Sequence, residues 1–262
     1  MRKYLYTFKT SFIESFTYIP SILFKFISYF ISMFIMFSLW RYIYDDPSKV
    51  INNFTLVQMM WYLLLSEVLT YGHGKIANTE IIESVKSGSI AYNLNKPYNY
   101  ILYVLTRHIA DGVIRVILYT IVSFIIGILF VGGMPDFNIM YIPFMLITFV
   151  MGYIINALIK ILISLISFWI EDATPFFWIY NKILLIFGVF FPIDMFPAFL
   201  QPILKLTPVY VSLYGPVMLI IDFSFKLFLK VLLVQIIYLL IVVLLITIIY
   251  RKGMKKVNVN GG

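Results

Sequence analysis

Chemically capable side chains are few in this sequence, and most stand where long apolar runs are interrupted. Glu67 and Lys160 are single charges inside such runs, while Arg107, Asp111 and Arg115 recur at four-residue intervals. Side chains four apart share one helix face, so the latter three are expected to form an ion-pair ladder. A charge at membrane depth is costly unless it is paired, solvated or reaches the surface. Glu67 and Lys160 are therefore candidates for a polar lining and for a mutual pair, and snorkelling explains either equally well. All five charges are candidates for a pathway or its gate. Enzyme chemistry finds no foothold. The chain has no cysteine, and neither of its two histidines, His73 and His108, belongs to an H-E-x-x-H pattern that holds a metal. Gly72-His73-Gly74-Lys75-Ile76 approaches a phosphate-cradling loop but lacks the upstream glycine and the hydroxyl that binds Mg²⁺. No Ser-His-Asp or G-x-S-x-G arrangement supplies a nucleophile. Catalytic, metal and cofactor-binding residues are thus none on this chain.

Apolar helices must position these charges. Charged residues make up 12% of the chain, about half the roughly 25% of an average soluble domain, and mean hydropathy is +0.96. The expected class is an all-α integral membrane protein, a single transmembrane domain over 1–262. Six spans are drawn at about 24–44, 54–71, 114–131, 139–170, 176–191 and 231–250, from the roughly 20 apolar residues a bilayer requires. The fourth is long and the fifth short, so tilt or a break is expected there. The net charge of +8 is spread over the ends of apolar runs and forms no basic face, which argues for topology signals and against nucleic acid. Arg2, Lys3, Lys9, Lys25, the basic residues between spans two and three, and Arg251 to Lys256 outnumber Arg41, Lys49, Lys205, Lys226 and Lys230 on the other side. That bias places both termini in the cytoplasm of a plasma-membrane protein. No removable signal peptide is expected. Residues 1–20, with Leu5, Phe8, Phe12 and Phe16 at helical spacing, read as a helix lying in the interface with an aromatic face in lipid. Pro20 would mark its bend.

The segment between spans two and three, 74–99, interrupts this with "EIIESVKSGSIAYNLNKPYNYI" from Glu80 onward. Asn78 or Thr79 is placed to cap a helix of about two turns, with Glu80 and Glu83 near its first turn and Lys86 in its last, where each charge suits the helix dipole. Gly88 is placed to end it, and Pro97 keeps a later helix from running through. Ile81, Ile82 and Val85 form an apolar patch of a size to enter a groove on another protein. Downstream, Pro192, Pro197, Pro202 and Pro208 arrive every five or six residues in a still apolar region. Proline does not continue a helix, so 192–216 should form short helices dipping into the outer leaflet.

These two stretches carry a resemblance. The sequence is similar to the permease subunit of an ATP-binding-cassette exporter, of the type-two permease family with six spans and no fused ATPase. "EIIESVKSGSIAYNLNKP" resembles that family's acidic-aliphatic helix, small-Gly pair and L-x-K-P ending, and residues 166–216 resemble its fifth span and outer re-entrant hairpin. The resemblance implies a cytoplasmic coupling helix, at Glu80, Ile81, Ile82, Glu83, Val85, Lys86 and Gly88, seated on an ATPase subunit. Glu171 and Asp172, between spans four and five, would make a second contact. It implies ATP and Mg²⁺ on the partner ATPase, a second permease subunit of identical or related sequence, and an amphipathic or hydrophobic substrate such as a drug, antimicrobial peptide, lipid or glycolipid. Gly127, Gly132 and Gly152 are candidates for close helix approach in a dimer. Two alternatives remain open from the residues: an ion-gradient-driven secondary transporter, for which no internal repeat is evident, and a non-transporting membrane immunity or assembly protein.

Overall fold

The computed structural model describes residues 2–133 and 138–260, with side chains described through Lys256. Met1, residues 134–137 and the last two positions, parts of the expected 1–262 domain, lie outside the described residues. Twelve α-helices form the described fold, and its one sheet is a two-residue hairpin pairing Val50 with Thr55 and Ile51 with Phe54.

Four helices are long and apolar enough to cross a bilayer: Ile19–Tyr44, Tyr100–Val131, Ile139–Ile170 and Phe225–Lys256. The first is α2. α3, Leu56–Tyr71, is shorter and occupies the centre, with every residue from Met59 to Leu69 buried. A helix apolar all round must be enclosed by others, and α2, α6 (Tyr100–Ile126) and α11 (Gly215–Ile221) pack against α3. Thr55 and Gln58 form a capping box that satisfies its first turn. The outer helices differ. α12, Phe225–Asn260, leaves Leu229, Leu233, Leu240 and Leu244 exposed along its length, a stripe suited to lipid rather than water.

The third span, drawn at 114–131, forms the later part of a longer helix, α6, Tyr100–Ile126, which continues as a π turn to Val131, with Asn99 accepting from the Leu102 amide at 3.0 Å. Arg107, Asp111 and Arg115 therefore lie inside a continuous helix, which their ion pairs make affordable. α7, Ile142–Ser164, breaks at Leu165 and resumes as α8, Ser167–Ile170, fulfilling the expected interruption. α9, Thr174–Leu184, continues as a wider π turn to Phe190.

Between α9 and α12 the prolines sit where helices begin or cannot form. Pro192 precedes a short 3₁₀ turn at Ile193–Met195, and Pro202 opens α10, Gln201–Lys205. Beyond Pro208, a π turn at Tyr210–Tyr214 runs into α11, Gly215–Ile221, so the helical part passes the expected limit of 216. The segment is stitched down: Tyr214 donates to Asp194, Lys205 contacts Asp194 at 3.3 Å, and Gln235 of α12 donates to the Thr148 and Val211 carbonyls at 2.9 Å each.

α1, Arg2–Thr17, is a separate helix as expected, but it docks along α6. Ser11 and Ser15 are its buried residues, small enough to admit close approach, and Phe8 and Phe12 are partly buried, Phe12 against the core. The aromatic face is thus divided, with Leu5 and Phe16 left exposed. The break falls at Tyr18, and Pro20 sits in the first turn of α2.

Candidate functional site

The charged segment after α3 forms α4, Ile76–Lys86. It is three turns long and starts earlier than expected. Lys75 precedes it without a side-chain cap, so Asn78 and Thr79 are helical and do not cap it. The C-terminal expectation holds: Gly88 adopts φ +72° and its amide reaches the Val85 carbonyl at 3.1 Å. That left-handed conformation is one glycine adopts at no steric cost. α5, Ile90–Leu94, follows before Pro97.

Ile81 and Ile82 point into this chain, which corrects the expectation of an apolar patch presented outward. Ile81 is fully buried in the main core, and Ile82 packs with Ala173 and Phe177 at the start of α9. Val85 is partly buried against the same core. The exposed rim consists of Glu83, Lys86, Ser87, Gly88 and Ser89, and beside it Glu171 and Asp172 are exposed in the α8–α9 turn. Glu171 there adopts φ +61° and ψ −41°, a sparsely populated conformation that costs a non-glycine residue on the order of 1–3 kcal/mol.

Three polar ties fasten α4 to the apolar helices. Glu80 accepts from Arg107 of α6 at 2.6 Å, both side chains about three-quarters buried. Ser164 of α7 donates to the Ala77 carbonyl at 2.5 Å. Lys86 meets Asp172 at 2.8 Å, both half-exposed. The Lys86 ammonium, and after it Thr174, whose amide donates to Asp172 at 2.9 Å, hold the Asp172 carboxyl well below the usual carboxylate range. Neither Glu80 nor Asp172 is thereby a free surface charge.

Arg107, Asp111 and Arg115 do not form the expected ladder. Arg115 makes two 3.1 Å bonds to Asp111, Nε to one oxygen and Nη2 to the other. Arg107 turns away to Glu80 and, at 3.8 Å, to Glu14 of α1. Partners far apart in sequence outcompete the carboxylate one turn away because they meet Arg107 outside the helix. Gly74 lies directly on the Asp111 carboxylate, in a space a Cβ would occupy. This, and the contact of Gly72 with Val116, is the structural reason for the glycines that resemble a phosphate loop.

Glu67 and Lys160 are both buried and make no ion pair with one another among the described residues. Glu67 accepts from Ser32 of α2 at 3.3 Å while its second oxygen has no partner among the described residues. Lys160 lies instead toward the two histidines, whose arrangement no motif announced. The Ala77 amide donates to His108 Nδ1 at 3.3 Å, so His108 carries its proton on Nε2 and donates to His73 Nδ1 at 3.0 Å. His73 stacks on Tyr153 with ring centres 4.1 Å apart. Burial, and after it the Lys160 ammonium, hold the His73 imidazole well below its ordinary range. His73 is thus partly buried, packed against Tyr153. No cluster of metal-ligating side chains occurs among the described residues.

The dimer-facing roles considered for two glycines are also taken up internally. Gly127 abuts Trp61, and a Cβ added at Gly152 would lie 3.1 Å and 3.2 Å from the Val211 and Ser212 carbonyl oxygens. Gly132, at φ +101°, faces open space.

A multi-pass, all-helical membrane protein with a tethered surface helix is the class these features define. The chain belongs to the family described as ABC-2 family transporter protein, which it matches over residues 30–261. It is accordingly an ABC-transporter permease of the membrane. A search of curated proteins finds no match.

Proposed function

We propose that this chain is the membrane-spanning half of an ATP-driven exporter, coupled through α4 to ATPase subunits on separate chains, which would carry ATP and Mg²⁺. Six crossings follow if α3 and α9 also span, with both termini and α4 in the cytoplasm of the plasma membrane. A second permease subunit, identical or related, completes the pathway for an amphipathic or hydrophobic substrate, and the 192–221 segment lies at the outer leaflet.

The observation that carries this reading is the construction of α4. Its apolar face and polar ties engage α6, α7 and the α8–α9 turn, while Glu83 and Lys86 to Ser89 stay exposed. A push on that rim moves three helices as a rigid body. The 171–174 turn lies beside it and forms the second contact. The paired substitution Glu83→Arg with Lys86→Glu is expected to abolish co-purification of the ATPase encoded nearby and to stop transport, while the permease still migrates as a folded, membrane-inserted protein. Unchanged association and transport refute the coupling role. A cysteine replacing Ser87 should be labelled by an impermeant maleimide only in inside-out vesicles, and labelling from outside intact cells refutes the orientation.

A further inference from the structure

A cavity of about 350 Å³ opens between α1, the start of α2, the α3–α4 connection and α6. That is about ten times the volume one water occupies in the liquid. Four cations line it, Lys25, Lys75, Arg107 and Arg115, against two carboxylates, Glu14 and Asp111. Arg115 is held by Asp111, and Arg107 by Glu80 and Glu14. Lys25 and Lys75 face the same space with no ion-pair partner among the described residues. Two like charges converging on one recess repel unless an anion lies between them. The remainder of the wall includes the hydroxyls of Ser11 and Ser21, which donate readily to phosphate oxygens.

We propose that this cavity binds a phosphate group through Lys25 and Lys75, with the Ser11 and Ser21 hydroxyls completing its coordination. The first turns of α2 and the amphipathic α1 bracket the opening, at the level where a span meets the headgroups, so an anionic phospholipid headgroup is one source and free phosphate the other. Arg107 joins the cavity wall to Glu80 of α4, so occupancy would steady α4 from behind. The site does not depend on the ATPase reading above: the permease alone would bind the anion.

The test uses the full chain, stripped of lipid in detergent and followed by tryptophan fluorescence on heating. Three probes are compared: phosphatidylglycerol mixed micelles, phosphatidylcholine mixed micelles, and inorganic phosphate at constant ionic strength. Phosphatidylglycerol is expected to raise the unfolding midpoint by a few degrees over phosphatidylcholine, as a ligand specific to the folded state does. The rise should vanish in Lys25→Gln/Lys75→Gln and persist in Lys9→Gln, whose lysine is exposed and outside the cavity. A rise with inorganic phosphate alone, lost in the double variant, supports the site and assigns a soluble source. No rise with either anion, or an equal rise in the double variant, overturns it. Where the double variant does not fold, native mass spectrometry of the unaltered chain decides: one retained phosphatidylglycerol or phosphate per chain supports the site, and retention no greater than that of phosphatidylcholine overturns it.

Discussion

Removing the Glu80–Arg107 contact should loosen α4 from α6 by a measurable amount. The two side chains meet at 2.6 Å and are 21% and 25% exposed. Fully exposed pairs contribute about 0–1 kcal/mol, and deleting one partner of a fully buried pair costs about 3–5 kcal/mol. A pair three-quarters buried lies between these limits. Arg107 also keeps Glu14 at 3.8 Å, which softens the loss in Glu80→Gln. A coupling energy of about 1–2 kcal/mol between Glu80→Gln and Arg107→Gln is therefore expected from a double-mutant cycle. Hydrogen exchange followed by mass spectrometry reads this locally. Amides of Ile76–Lys86 should exchange about 5 to 30 times faster in Glu80→Gln, the factor that 1–2 kcal/mol produces in an opening equilibrium. Peptides from α12, which the tie does not reach, should be unchanged and serve as the internal control. Exchange in α4 that stays at the wild-type rate, with a coupling energy below about 0.3 kcal/mol, would show that Ser164, the Ile82 cluster and Lys86 hold α4 without the arginine.

Gly74→Ala places a methyl group against the Asp111 carboxylate and should cost about 1–3 kcal/mol, seen as a lowered unfolding midpoint. A midpoint equal to wild type would mean that the Asp111–Arg115 pair shifts at no cost. The Lys86–Asp172 tie has its own pH signature. Because the folded Asp172 carboxyl is held below its ordinary range, its contribution is present above the unfolded-chain value of about 3.9 and is lost as pH falls through the lower folded value. Protection of the α8–α9 turn should thus be the same at pH 7 and pH 5, once corrected for intrinsic exchange. A fall in protection across that interval contradicts the assignment.

Much of this architecture was legible from composition and periodicity, because a bilayer imposes length and apolarity on whatever crosses it. Helix ends were legible where an apolar run gives way to polar residues, as at Tyr44 and Tyr71, where α2 and α3 stop. Around the start of the third span, the shared helix face of Arg107, Asp111 and Arg115 was legible from their spacing, but not that Glu80 takes Arg107 while Arg115 takes Asp111. The helix at Ile76–Lys86 was visible in its charges and its glycine stop, yet its start carried no capping residue to reveal it.

By itself, the sequence determined that the chain lives in a membrane, that a charged helix stands apart between the second and third spans, and that prolines divide the segment before the last. Those properties follow from local energetics, namely transfer of apolar side chains, helix capping and the proline ring. Only the tertiary structure decided which way Ile81 and Ile82 face, that Arg107 pairs with Glu80 and not Asp111, that Glu67 and Lys160 stay apart, and that two histidines hydrogen-bond to one another beside Tyr153. An apolar stripe reads the same whether it meets lipid, a neighbouring helix or another protein. A charge likewise takes the partner that three-dimensional proximity offers, whatever its distance along the chain.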